Sequence, residues 1–355
     1  MSTIWAIGAS VRALAQCLAA AGHEVVAADL FNDLDLQQIA SITRRIGSFP
    51  YDLLHLMEEV QADAFVYAGG LENYPDLIDA LADRMPLLGN QGHVLRRVRD
   101  AFVLRDSLTV GGFQMPPMSR SLGPSAAGAW LRKSMHTSGG LRVGLAGNRK
   151  EALRSGEYFQ AFVEGAVYGA SFKATAEGIQ LLGTARQLTD CPWTNAPGFQ
   201  YAGSIGPVEL TAELQCEVMR LGETVAAHFD LQGWFGIDFI VGQEQQLWVL
   251  EVNPRYTASM ELLTRKQGPL TGKAILYSTQ RLCVTSAFVQ RLVQRGDVAD
   301  IPRPGSDIAA GSPTLTLFAE GLTERDVVQE LQAKASTLQE EMLRLGATPA
   351  ARAIE

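Results

Sequence analysis

The chain has 355 residues, more than one hydrophobic core ordinarily holds, and 47% of them are hydrophobic, so two or three packed units sharing a cleft are expected. A formal charge of −8 argues against a polyanion partner, because nucleic-acid affinity comes largely from Lys and Arg neutralising phosphates. It leaves room for a local basic pocket that takes a nucleotide.

The four cysteines, Cys17, Cys191, Cys216 and Cys283, are scattered, with no CxxC pair and no metal-ligand spacing, as in a reducing compartment. The N-terminus, MSTIWAIGASVRALAQ, has no basic segment ahead of its apolar stretch. No window approaches the roughly 20 uninterrupted apolar residues of a membrane span. The reading is a soluble, cytoplasmic protein.

In chain order, Thr3–Ile7 is a short apolar strand, Gly8-Ala9-Ser10 a turn, and Val11–Ala21 a helix stopped by Gly22, with Val11, Leu14, Ala15 and Leu18 on one face. His23–Ala28 is a second strand ending at Asp29, so strand, helix and strand open a parallel α/β sheet. A third strand, Ala64–Ala68, runs into Gly69-Gly70; Pro75–Asp83 is helical, and Pro86–Leu88 is another short strand. Gly89-Asn90-Gln91-Gly92 closes this first unit. The Pro- and Gly-bearing segment Gly111–Ser125 leads to a strand around Ala129–Ser134, a loop His136-Thr137-Ser138-Gly139-Gly140 and a strand from Leu141, the pattern of a small lid. Beyond Gly156 come strands at Tyr158–Val163, Ala170–Ala176 and Ile179–Gln187, then a helix after Thr211 that aligns Leu214, Val218, Leu221 and Val225. A strand at Thr314–Ala319, an amphipathic helix from Glu324 to about Leu345 and a loose tail complete the chain.

The most informative stretch runs from Gly233 to Gly242, through the polar turn Gln243–Gln246, and back from Leu247 to Arg255, a hairpin signature. A four-residue loop pairs Gly242 with Leu247 and, counted outward, sets Asp238 opposite Glu251. Side chains alternate along a strand, so Glu251 and Asn253 share a face, and cross-strand Asp238 joins them. Two adjacent carboxylates repel unless a cation neutralises them, and hard oxygen ligands that leave room for phosphate oxygens suit Mg²⁺. An isolated Asp and Glu would ordinarily be solvent-face residues of a hairpin. Three polar positions at one end of an apolar strand, with Pro254-Arg255 following, are hard to ascribe to packing.

The Gly236-Ile237-Asp238-Phe239 run followed by Glu251-Val252-Asn253-Pro254-Arg255 resembles the metal-binding hairpin of the ATP-grasp superfamily, and the resemblance covers nearly the whole chain. It implies a mixed α/β and α+β fold: a Rossmann-like pre-ATP-grasp domain over 1–93, a linker helix and lid over 94–157, and a large antiparallel-sheet domain over 158–355. ATP would lie between the lid and the large domain, with Mg²⁺ or Mn²⁺ on Asp238, Glu251 and Asn253. The Asn253–Ser259 run looks closer to the biotin carboxylase and carbamoyl phosphate synthetase branch, which puts Arg255 at an acyl phosphate, where a fixed guanidinium stabilises developing charge. Lys133 stands where the family has its phosphate lysine. Ser138, Gly139 and Gly140 match the loop that folds over the β- and γ-phosphates, the glycines letting backbone N–H groups approach the oxygens. The stretch Tyr158–Gly165 resembles the segment that reads adenine, with Gln160, Phe162 and Val163 at the base and Glu164 near the ribose. There is one departure: many relatives carry an Asp-Lys pair before the lid, whereas this chain has Asp100-Ala101, leaving Arg99 and Lys173 as candidates for the missing charge.

At the carboxyl ends of the first strands, Ser10, Arg12, Asp29 and Glu72 bring polar groups to the edge where ligands of parallel sheets sit; for Ser10, Arg12 and Glu72 the alternative is capping and turn closure. The sequence also resembles a carboligase-related ATP-grasp group associated with tetrahydromethanopterin and methanofuran-type C1 carriers. This implies an ATP-dependent ligase that forms an acyl phosphate from a carboxylate, such as glutamate, and hands it to an amine during biosynthesis of such a cofactor. Small-molecule substrates, no nucleic-acid or membrane partner, and a homodimer are the corresponding expectations. Ala101 motivates the alternative, a non-catalytic or regulatory ATP-binding protein on a degenerate fold. A nicotinamide-dependent oxidoreductase is disfavoured because the Gly8–Ala13 turn lacks GxGxxG.

Overall fold

The computed structural model describes residues 1–122, 128–147, 152–263 and 268–345. The end of the Gly111–Ser125 segment and the tail beyond Leu345 lie outside the described residues. The N-terminal unit is a parallel sheet of β1 (Thr3–Ile7), β2 (Glu24–Asp29), β3 (Ile42–Arg45) and β4 (Ala64–Tyr67), in the order β3-β2-β1-β4. Helices α1 (Arg12–Ala20), α2 (Leu34–Ile39), α3 (Leu53–Glu59) and α4 (Pro75–Ala82) cover it. β1 is apolar throughout its interior because both faces are buried: Ile4 and Ala6 meet Leu14 and Leu18 of α1, while Trp5 and Ile7 meet Leu53 and Ile78 from α3 and α4. β3 was not evident in the sequence because Ile42, Arg44 and Arg45 are exposed on the sheet edge. The expected strand Pro86–Leu88 is reduced to a bridge between Leu87 and Phe65.

Two short helices follow, α5 (Gly92–Val98) and α6 (Ala101–Val110). Asp100 starts α6, its carboxylate accepting from the N–H groups of Phe102 and Val103 at 2.9 and 3.2 Å. The lid is an antiparallel sheet of β5 (Met118–Ser119), β6 (Trp130–Ser134), β7 (Gly144–Leu145) and β8 (Glu157–Ala161), in the order β5-β8-β6-β7. The strand expected from Leu141 begins only at Gly144, because Arg142 takes a left-handed turn with φ 59°.

The large sheet is antiparallel throughout. In chain order its strands are β9 (Ala166–Thr175), β10 (Gly178–Gln187), β11 (Gly203–Gly206), β12 (Gly233–Val241), β13 (Leu247–Asn253) and β14 (Leu270–Tyr277). After a small ribbon of β15 (Leu282–Cys283) with β17 (Asp307–Ile308), β16 (Val298–Ala299) and β18 (Pro313–Gly321) complete it in the order β13-β12-β9-β10-β11-β14-β18-β16. Helix α7 (Ala212–Phe229) is capped by Thr211 Oγ1, which accepts from Leu214 N at 3.3 Å. It buries Leu214, Val218, Leu221, Val225 and Phe229 against Phe172 and Phe235, two rings stacked 4.9 Å apart on β9 and β12. Each such side chain contributes roughly 1.5–3 kcal/mol by leaving water. Val94, Val98, Leu104 and Leu108 of α5 and α6 enter the same core, which anchors the segment between them beside the sheet. The remaining helices, α8 (Met260–Leu263), α9 (Ser286–Val293) and α10 (Glu324–Leu345), flank the other half, where α9 and α10 pack on β14 and β18.

Candidate active site

The β12–β13 hairpin brings its three polar residues together by a route the simple count missed. The connection spans Gly242–Gln246, with Gln245 left-handed at φ 59°, so Val241 rather than Gly242 pairs with Leu247. A bulge at Leu250 absorbs the difference, and Asp238 still lies opposite Glu251. The bulge switches the strand's parity: Leu247, Val249 and Val252 face the core, while Glu251 and Asn253 turn to the other side with Asp238. A regular strand would have aimed Glu251 the same way as Val249. On the neighbouring strand Gly169 pairs with Asp238, and a Cβ there would stand 3.0 Å from Asp238 Oδ1.

Asp238 Oδ1 accepts from Gln187 Nε2 at 2.9 Å, and Asp238 Oδ2 from Asn253 Nδ2 at 3.0 Å. Asn253 Nδ2 also reaches Glu251 Oε1 at 3.4 Å, so this amide nitrogen sits between the two carboxylates as a cation would. Burial, then the neighbouring Glu251 charge, push the Asp238 carboxyl well above the usual range. Burial acts the same way on Glu251, but the charges of Arg99, Lys133 and Arg255 outweigh it and hold that carboxyl low.

Arg255 is fixed from several directions. Its Nε donates to Glu72 Oε1 at 2.8 Å, Nη2 to Asn253 Oδ1 at 3.1 Å, and Nη1 to the Tyr256 carbonyl at 3.1 Å. The preceding Pro254 carbonyl accepts from Asn90 Nδ2 and Tyr67 Oη at 3.0 and 3.3 Å, tying the Asn253-Pro254-Arg255 turn to the N-terminal unit. Glu72, which sequence reasoning left undecided between the ligand edge and turn closure, joins this group through Arg255 and Ser138. Its side chain is fully buried, and although burial opposes its charge, Arg255 and Arg99 keep its carboxyl below the ordinary range. The signal was its place after Gly69-Gly70 at the end of β4, the ligand edge of the sheet. Ser10 is exposed, and Arg12 belongs to a separate buried ion cluster with Glu261 and Asp300. Asp29, at the end of β2, accepts from the N–H groups of Val11, at the start of α1, and of Phe31 and Asn32.

The lid supplies Lys133 from β6, whose Nζ donates to Gln160 Oε1 at 3.2 Å. The Ser138-Gly139-Gly140 loop is docked. Ser138 Oγ donates to Glu72 Oε1 at 2.8 Å and accepts from Asn73 Nδ2 at 3.1 Å, while the Gly139 carbonyl accepts from Tyr201 N at 3.0 Å. Gly139 and Gly140 have φ of 61° and 75°, and a Cβ on Gly140 would lie 1.8 Å from the Phe199 carbonyl oxygen, so the close approach needs glycine. In the segment after β8, Phe162 and Glu164 are exposed and Val163 is half-buried; the Phe162 N–H is committed to the Ala129 carbonyl at 2.9 Å. Lys173 is exposed on β9, four positions from Gly169 and hence about 13 Å along the strand from the carboxylates. No helix among the described residues is long and apolar enough to cross a membrane.

A parallel N-terminal sheet, a small antiparallel lid and a large antiparallel sheet carrying this hairpin constitute an ATP-grasp fold. Residues 98–259 match the family described as the ATP-grasp domain. Similar solved structures include the N5-carboxyaminoimidazole synthetase of Staphylococcus aureus complexed with ADP, at 13% identity, TM-score 0.69 and coverage of 94% of this chain and 97% of that one. The L-amino acid ligase of Bacillus licheniformis gives 14% identity and TM-score 0.68 over 96% and 98% of the two chains. The biotin carboxylase domain of the Hydrogenobacter thermophilus 2-oxoglutarate carboxylase, in complex with MgADP and bicarbonate, gives 13% and 0.66 over 97% and 90%. No curated protein sequence gives a significant match.

Proposed function

We propose that the chain is an ATP-dependent ligase that converts a carboxylate to an acyl phosphate and transfers the acyl group to an amine. The observation carrying this reading is the convergence of Asp238 and Glu251 with Lys133 and Arg255 beside the docked Ser138-Gly139-Gly140 loop. Two carboxylates that oppose each other's charge suit a divalent cation, Mg²⁺ or Mn²⁺. Asn253 joins them as a ligand once its amide turns its oxygen toward them. The bound Mg-nucleotide supplies a γ-phosphoryl group whose charge is partly neutralised.

The chain's own residues do the rest. Lys133 offsets phosphate charge as the substrate carboxylate attacks and ADP leaves. Arg255, held by Glu72, faces the acyl phosphate and stabilises the charge that develops on it. Gln160, Phe162 and Val163 border the adenine and Glu164 the ribose. The docked lid excludes water that would hydrolyse the acyl phosphate. The amine then attacks the acyl carbon, and phosphate departs. Glutamate as the carboxylate, in building a tetrahydromethanopterin- or methanofuran-type C1 carrier, is supported by the carboligase-related resemblance; an amine acceptor also agrees with the fold shared with an L-amino acid ligase.

The test is release of ADP and phosphate from MgATP with a panel of carboxylates and amines, including glutamate with tyrosine or tyramine. Turnover that needs both substrates and is lost in Glu251→Gln is expected. ATP binding without turnover across the panel would favour a regulatory nucleotide-binding protein.

A further inference from the structure

Arg99 lies between α5 and the Asp100 cap of α6, so the large-domain core fixes its backbone. Its side chain, 11% exposed, runs beneath the lid. Nη2 donates to the carbonyls of Met135 and Thr137 at 3.2 and 2.6 Å. Nη1 stands 3.6 Å from Glu251 Oε2, an ion-pair distance but too long for a hydrogen bond. Nε is buried with no acceptor. A guanidinium has five N–H donors, and here one nitrogen makes both hydrogen bonds. Charged donors left unmatched in a buried place are costly, which marks a position that a ligand completes. Nη1, which makes no hydrogen bond, is the guanidinium atom nearest the Glu251 carboxylate, on which Lys133 and Arg255 also act.

We propose that Arg99 binds the polyphosphate of the nucleotide and, with the same guanidinium, ties the lid to it. This rests on the ATP reading above. A planar fork can hold two lid carbonyls along one edge and offer its remaining N–H groups to phosphate oxygens, whereas a lysine is a single point charge. The same residue then provides the cation that Ala101 does not, and exposed Lys173 is too distant to serve.

Titration calorimetry of wild type, Arg99→Ala and Arg99→Lys with MgATP, MgADP and adenosine tests this, together with trypsin cleavage after exposed Arg142 in the lid. Arg99→Ala is expected to weaken MgATP and MgADP binding about 10-fold or more, the loss of a charge-assisted bond, and to leave adenosine binding unchanged. MgADP is expected to protect Arg142 in wild type, and Arg99→Lys is expected to keep part of the affinity yet lose that protection. Should Arg99→Ala not fold, Arg99→Gln supplies the same comparison. Unchanged MgADP affinity, or an equal loss for adenosine, overturns the proposal. A wild type that binds no MgATP overturns the ATP reading itself.

Discussion

Arg255 shows how much a single residue depends on its neighbours here. Glu72, Asn253 and the Tyr256 carbonyl hold its three nitrogens, and Asn90 and Tyr67 hold the carbonyl before it. A guanidinium immobilised this way costs no reorganisation when charge develops opposite it. Arg255→Ala is therefore expected to lower kcat roughly 100-fold while changing MgATP affinity far less. Steady-state kinetics beside calorimetry separate the two, and an equal loss in both would assign Arg255 to nucleotide binding. The Asp238, Glu251 and Asn253 group was legible from sequence because it is local: one hairpin contains all three. Glu72 was not, because its partners come from residues 138 and 255, far along the chain.

Among the elements, the Ser138-Gly139-Gly140 loop was readable as a glycine-rich turn, but its docking on Glu72, Asn73 and Tyr201 was not. Gly140→Ala places a methyl where the Phe199 carbonyl lies and forces an L-residue to φ 75°. The expected result is faster trypsin cleavage after Arg142 with an unchanged global unfolding midpoint, since the loop is apart from the hydrophobic cores. An unaltered cleavage rate would mean that the loop does not dock this way in solution. Several strands and the long helices followed from periodicity, α10 from Glu324 to Leu345 among them, whereas β11 and β14 were not read from it. The Leu250 bulge escaped because a one-residue irregularity leaves no periodic trace, although it decides which way Glu251 points. Exposed β3 carries too few apolar positions to register.

Across the whole molecule, the N-terminal unit is joined to the large sheet by a buried ion cluster. Arg12 of α1 pairs with Glu261 of α8 and with Asp300 at 2.9 Å, and Lys273 of β14 donates to Glu261 at 2.8 Å. Burial opposes the Glu261 charge, but Lys273 and Arg12 overcome it and bring its carboxyl down to about 2. A depressed carboxyl stabilises the fold at pH values above its unfolded pKa, about 4.3, and that contribution is lost as pH falls toward 2. Glu261→Gln, which leaves Arg12 and Lys273 short of a counter-charge, is expected to cost about 3–5 kcal/mol in urea unfolding at neutral pH and to flatten the acid limb of the stability profile. A variant with wild-type acid sensitivity would remove Glu261 from that account. The central claim, that a carboxylate is activated as an acyl phosphate, is tested most directly by oxygen transfer. The panel carboxylate that elicits ADP release is supplied with ¹⁸O in its carboxyl group, and the released phosphate is read by ³¹P NMR. One ¹⁸O in each phosphate formed with product is predicted; product formed alongside unlabelled phosphate would contradict the mechanism.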